Sequence, residues 1–369
     1  MLNRTWLLII LLVCSDFFIG CEPLATDFED TESAQYYQTQ RTLSPIPTVD
    51  TIKIMTWNIR FGARRLGWFG ESCGDRIILS REEVLLGLEG IANKIYTIRP
   101  DILLLQEVDV NSKRSAYIDQ MQWLLNHTYF DYGVYASNWQ VQFIPSDGLG
   151  RIDEGNAILS RWKLKNCKRI ALSLRGDLDF ATRYFYVRNN IVTVLVELPD
   201  SPEITVLCTH FEAFSTDDTK RKHVEKTLAE LAKLDTKGEE FIIGGDFNLI
   251  PPGSDSTDFC DEDKCPGEHF HGKHDDPKHK EGSNYAPEID WLMPFYERYK
   301  PAVPLNDYLS NQSHYFTHTT IHPDGFWNRK LDYLFTNEEF ITGSDITHQE
   351  AMQESDHCPV TVLYLIRRK

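Results

Sequence analysis

Six short motifs follow one another along the chain, and their side chains suit one kind of chemistry. In order they are Trp57-Asn58, Gln106-Glu107, Thr209-His210, Gly244-Gly245-Asp246-Phe247-Asn248, Leu331-Asp332-Tyr333 and Ser355-Asp356-His357. Four of them close short apolar runs that read as strands. Strands that end together bring their last residues to one mouth of a sheet. The result is a cluster of carboxylates, amides and imidazoles, suited to holding a hard divalent cation and activating water beside a phosphate. Glu107 ends a run of four apolar residues, where a lone carboxylate is expensive to bury, and is the leading metal-ligand candidate. Asn58 and Asp356 complete the set. Asp246 and Asn248 lie two apart and face one side in extended chain, so one can orient or deprotonate water while the other binds a phosphoryl oxygen. His357 is suited to proton transfer or phosphate stabilisation, with Asp332 to orient its ring. His210 closes a strand and can donate to a phosphoryl oxygen.

The elements that must position these groups alternate only in part. Residues 53–58 and 101–106 read as strands. Val84, Leu88, Ile91, Ile95 and Ile98 mark an amphipathic helix that Pro100 stops. Further strands are expected at 157–160, 191–198, 203–209, 241–244, 331–336 and 360–366, and helices at 118–125 and 219–234. Strands 191–198 and 203–209 are close enough to pair as a hairpin. The mixture predicts packed mixed sheets with helices outside, in one domain over residues 51–369.

Composition sets limits on this reading. Lys and Arg total 38 against 55 Asp and Glu, for a net charge of −17. That excludes broad long-range attraction to polyanions but permits a local basic groove. Arg183 and Arg188 are candidates to line one, among a wider set of Arg60, Arg64, Arg65, Arg329 and Lys330. Arg4 and the apolar run 6–13 have the form of an export signal, too short to span a bilayer. Phe18-Ile19-Gly20-Cys21 follows, which resembles a bacterial lipobox. Residues 1–20 are therefore expected to be removed, Cys21 to carry lipid and the protein to be anchored in the cell envelope. Residues 21–50 are polar, acidic and without apolar period, and read as a disordered tether. Cys260 and Cys265 are the natural disulfide partners by proximity; Cys208 and Cys358 read as buried thiols. The histidines at 269, 271, 274 and 279 fit no compact ligand set and read as a solvated insertion.

Taken together over roughly residues 51–366, the motif set resembles the endonuclease/exonuclease/phosphatase family. Gly155-Asn156-Ala157-Ile158-Leu159-Ser160 also resembles the family's middle segment, which implies that Asn156 lies near substrate. The resemblance implies a four-layer α/β/β/α sandwich and phosphoester cleavage dependent on magnesium, with manganese or calcium as alternatives. It implies Glu107 as principal ligand with Asn58 and Asp356, Asp246 and Asn248 on water and phosphate, and His210 and His357 on phosphoryl oxygens. The expected substrate is a phosphodiester, in nucleic acid or in a phospholipid headgroup, and the expected state is a monomer. Leu66 to Phe69 and Gly325 to Trp327 are the segments that would meet lipid in the second case.

Overall fold

The structure, a computed structural model, describes residues 24–69, 74–144, 147–265, 282–319 and 327–367. Its strands form two seven-stranded mixed sheets. The first runs β13 (Ile346–Thr347), β14 (Val360–Leu365), β3 (Thr51–Asn58), β4 (Ile102–Asp109), β6 (Gly150–Ser160), β5 (Tyr132–Ile144) and β2 (Gln35–Gln38). The second runs β1 (Thr31–Ser33), β7 (Leu164–Ala171), β8 (Asn190–Val196), β9 (Ile204–His210), β10 (Phe241–Asp246), β12 (Asp332–Thr336) and β11 (Lys300–Pro301). Helices α1 (Arg81–Ile98) and α2 (Gln120–His127) cover the first sheet. After the short α3 (Phe180–Phe185), α4 (Thr219–Lys237) covers the second.

Alternation within each central strand explains the layering. In β3, Ile52 and Ile54 enter the core between the sheets, while Met55 and Trp57 face α1. In β4, Ile102 and Leu104 point inward, and Leu103 and Leu105 meet the helices. These strands are buried on both faces, so they read as unbroken apolar runs. On the second sheet, Leu207, Phe241 and Ile243 pack against Val224, Leu228 and Leu231 of α4. The order helix, sheet, sheet, helix is the expected sandwich.

β3 and β4 run parallel, as do β9 and β10, so each pair ends in the same direction. Asn58 pairs with Gln106 in the first sheet; Asp246 pairs with His210 and with Asp332 in the second. All these register positions lie at one mouth of the sandwich.

Two expectations fail in the fold. The segment read as a tether is ordered from Leu24 onward: β1 pairs with β7 in one sheet and β2 with β5 in the other. Its strands have three and four residues and sit at sheet edges, so they bury little and leave no apolar period. Cys265 is disulfide-bonded whereas Cys260 is a buried thiol outside any disulfide, so the two are not joined to each other. Cys208 and Cys358 are buried free thiols, as expected. The histidines 269, 271, 274 and 279 lie outside the described residues. Among the described residues no helix is long and apolar enough to cross a membrane.

Candidate functional site

The site is assembled where the two sheets meet. Asn58, last in β3, accepts from Arg60 N through Oδ1 at 3.0 Å. Its Nδ2 donates to Glu107 Oε1 at 2.8 Å and to Asp246 Oδ2 at 3.3 Å, which ties one sheet to the other. Glu107 stands in a bulge of β4, between Leu105 and Val108, with φ +55. A non-glycine residue held there is strained, and the bulge re-aims a side chain that strict alternation would place elsewhere. Burial and the neighbouring Asp356 carboxylate push the Glu107 carboxyl up to about 7, against the Asn58 bond. Arg60 Nε approaches Asp356 Oδ2 at 3.2 Å.

His357 is the centre of the second half. Its Nδ1 donates to Asp332 Oδ2 at 2.8 Å, and its Nε2 lies 3.5 Å from Asp246 Oδ2. Burial opposes charge on the ring, but the Asp332 and Asp246 carboxylates outweigh it and raise His357 to about 10. The ring thus lies between two carboxylates that favour its charged form. Asp246 also has His210 Nε2 at 3.4 Å. Burial pushes the Asp246 carboxyl up, and the two imidazoles pull against that. Asn248 has φ +48, bonds Asp246 Oδ1 through its own N at 2.9 Å, and donates Nδ2 to Phe211 O at 2.9 Å. One hydrogen of its amide is thus committed to the backbone and one is left for a ligand. Lys220 Nζ donates to Asn248 O at 2.9 Å from within a fully buried ion pair with Glu288.

Eight of the expected residues thus converge: Asn58, Glu107, His210, Asp246, Asn248, Asp332, Asp356 and His357. Asn156 lies beside the Glu107 bulge, since Ala157 pairs with Leu105 and Gly155 with Val108. It is buried in an amide cluster, donating to Asn138 Oδ1 at 3.3 Å and to Asn190 O at 3.1 Å. Arg188 is committed elsewhere: its guanidinium donates to the carbonyls of Tyr184 and Tyr186, at the end of α3. Arg183 is half-buried on α3. Arg329 and Lys330 are buried, on Asp263 and on Asp332 O respectively, so they line no groove. Trp68 packs with Phe61 in the core, not in an apolar loop at the surface.

The sequence reading missed His318. Its ring centroid lies 4.4 Å from that of His357, and burial with the adjoining His357 ring holds it well below the ordinary histidine range. It joins the site through an isolated bridge to His357. The Phe316-Thr317-His318 segment ends in histidine as β9 does, but three residues are too few to read as a strand.

Two triads place ligand atoms within 4.8 Å of one another: His318, Asp356 and His357, and Asp246, Asp332 and His357. Glu107 belongs to neither, and is joined instead to Asn58. A hard cation prefers the oxygen donors of Glu107, Asp356 and Asn58 to imidazole nitrogen. The residues fit such an ion. Burial first, and the Asp356 carboxylate second, make a charged Glu107 costly, and a bound dication would relieve both.

A model of the Endonuclease/Exonuclease/phosphatase family matches residues 55–357. Among solved structures, the human Nocturnin catalytic domain with bound sulfate anion is 16% identical, covers 90% of this chain and 97% of its own, and superposes with TM-score 0.51. A conserved protein of unknown function from Enterococcus faecalis V583 is 15% identical, with 86% and 100% covered and TM-score 0.51. A third, from Beutenbergia cavernae DSM 12333, is 16% identical, with 86% and 72% covered and TM-score 0.50. At such identity the likeness is one of fold. No curated protein matches the chain.

Proposed function

The chain belongs to the endonuclease/exonuclease/phosphatase family, and within it we propose an exported, lipid-anchored phosphodiesterase of the nuclease type that depends on a divalent cation. The observation that supports this most is the His357 ring held between Asp332 and Asp246, beside the Asn58–Glu107–Asp356 oxygen cluster.

Glu107, with Asn58 and Asp356, would hold the ion. Magnesium, when bound, neutralises charge on a nonbridging phosphoryl oxygen. Asp332 holds Nδ1–H of His357, so Nε2–H is the proton available to the phosphoryl group or to Asp246. His210 supplies a second ring nitrogen at Asp246 Oδ2. Asp246, buried and between two imidazoles, orients or deprotonates the attacking water, and the free hydrogen of the Asn248 amide contacts a phosphoryl oxygen. Glu107→Gln should keep the fold and lower turnover by orders of magnitude; full activity of the native enzyme in excess chelator would overturn the metal-dependent reading. Assaying DNA, RNA, sphingomyelin and small diesters side by side tests the substrate. Cleavage of sphingomyelin with DNA and RNA left intact would replace the nuclease by a phospholipid phosphodiesterase. That second reading is favoured by the strand pairing that begins at Leu24, three residues after Cys21, which leaves little chain between a lipid and the domain.

A further inference from the structure

The first described residues are pinned at one side of the sandwich. Leu24 O accepts from Gln142 N at 2.7 Å, Thr26 N donates to Gln140 O at 2.9 Å, and Ala25 pairs with Val141 of β5. Ala25 N also lies 3.4 Å from the Tyr184 hydroxyl of α3. Cys21 precedes Leu24 by three residues. Three extended residues reach about 10 Å, whereas a flexible tether of about 30 residues would spread over roughly 30 Å. A lipid on Cys21 would therefore hold the domain by this edge.

We propose that the edge formed by the outer end of β5 and by α3 is a bilayer-docking surface, seated on the membrane by the anchor. This rests on the reading that Cys21 is lipidated. Its apolar contacts are Leu24, Phe143 and Phe180, which are 46%, 54% and 79% exposed. Phe143 follows Gln142, the residue bonded to Leu24, and Phe180 lies one turn before Tyr184 on α3. Arg151 and Lys113 lie beside them, bonded to Gln142 Oε1 and Gly148 O. Asp27, Asp147 and Asp179 are acidic residues of the same segments, and would face the headgroups with Arg151 and Lys113. Exposure does not single out this edge, because Ile346 and Leu365 at the far edge of the sheet are 52% and 53% exposed. The path of the chain toward Cys21 does. The edge also adjoins the site: Asp27 lies 4.0 Å from Arg188, and Asn189 donates to His210 O at 2.9 Å. A docked domain would thus hold its cluster close to the lipid surface.

The test uses the full chain, processed in cells and reconstituted in phosphatidylethanolamine–phosphatidylglycerol vesicles carrying a diazirine on one acyl chain. Photolabelled peptides and the N-terminal peptide are read by mass spectrometry from the same sample. Label should concentrate on peptides holding Leu24, Phe143 and Phe180, several-fold over those holding Ile346 and Leu365. A long Gly/Ser insert between Pro23 and Leu24 should even it out, and Phe143→Asp with Phe180→Asp should lower it at this edge. Equal labelling of both edges in the uninserted chain, with the N-terminal peptide acylated, overturns the docking surface and leaves the anchor standing. An unacylated N-terminal peptide overturns the anchor, and the docking proposal with it.

Discussion

At the scale of single residues, the site is a set of charges that hold one another in unfavourable company. His357 and Asp246 face the same phosphoryl group in the proposed reaction and lie 3.5 Å apart. His357→Ala and Asp246→Ala should each lower turnover by about 100-fold or more. Because each depends on the other, the double variant should lose less than the product of the two, and strictly multiplicative losses in a double-mutant cycle would separate their roles. A second histidine makes a different prediction. His223 is buried; its Nε2 lies 2.8 Å from Ser173 O, and its Nδ1 accepts from Glu212 N at 3.3 Å. That pattern requires the neutral ring, and burial lowers His223 to about 4. The unfolded ring takes up a proton near pH 6.5 and the folded one does not. This stabilisation is complete above about pH 6.5 and is lost as pH falls from there toward 4, to roughly 3 kcal/mol. Urea midpoints across that interval should fall less for His223→Asn than for the native chain; parallel curves would refute the assignment.

At the scale of elements, legibility followed burial. β3, β4, β9 and β10 are buried on both faces, so their apolar runs showed in sequence, and Asn58, His210 and Asp246 could be placed at strand ends and Glu107 at the end of its apolar run. β5 was not legible, because bulges near Asn138 and between Val141 and Ile144 break its period. β7 was not legible either, because only β1 covers its outer side and half its residues are polar. The Glu107 bulge was equally invisible: a residue with φ +55 leaves no mark in a run of Leu. Charge bonded to the protein's own groups was misread as charge free to line a groove, as the buried Arg329 and Lys330 and the half-buried Arg188 show. Lys220 carried no mark in the sequence at all. It lies on the buried face of α4, paired with Glu288 and bonded to Asn248 O. Lys220→Met keeps the volume but leaves a buried carboxylate and a loose Asn248 turn. It should cost about 3–5 kcal/mol, and Lys220→Met with Glu288→Leu should recover much of the stability. Turnover should stay low in the double variant, since no group then fixes the Asn248 carbonyl. Recovery of turnover along with stability would show that Lys220 serves folding alone.

At the scale of the whole molecule, the two sheets are held together by more than their common core. Residues 24–44 cross from one sheet to the other, pairing with β5, then β7, then β5 again. Beyond β2, Thr39 Oγ1 and the Arg41 guanidinium donate to Leu125 O, and Arg41 Nη2 reaches Phe130 O at 2.9 Å. Ser44 N donates to Asp131 Oδ2 at 2.9 Å. A polar segment of this composition has little apolar area to bury; its hydrogen bonds instead cover strand edges that would otherwise be open to pairing with other chains. Tyr37, 7% exposed, contributes about 2 kcal/mol by burial, and each net hydrogen bond about 1 kcal/mol, against the entropy of ordering the segment. A soluble chain starting at Pro45 should therefore lose on the order of 3 kcal/mol relative to one starting at Leu24. It should also associate with time as β5 and β7 lose their partners. Urea unfolding and light scattering of the two chains measure both effects. The longer chain is the right reference, because any lipid on Cys21 is absent from each. An unchanged midpoint with no association would mean that the segment is a tether after all, and that the edges of the sandwich close without it.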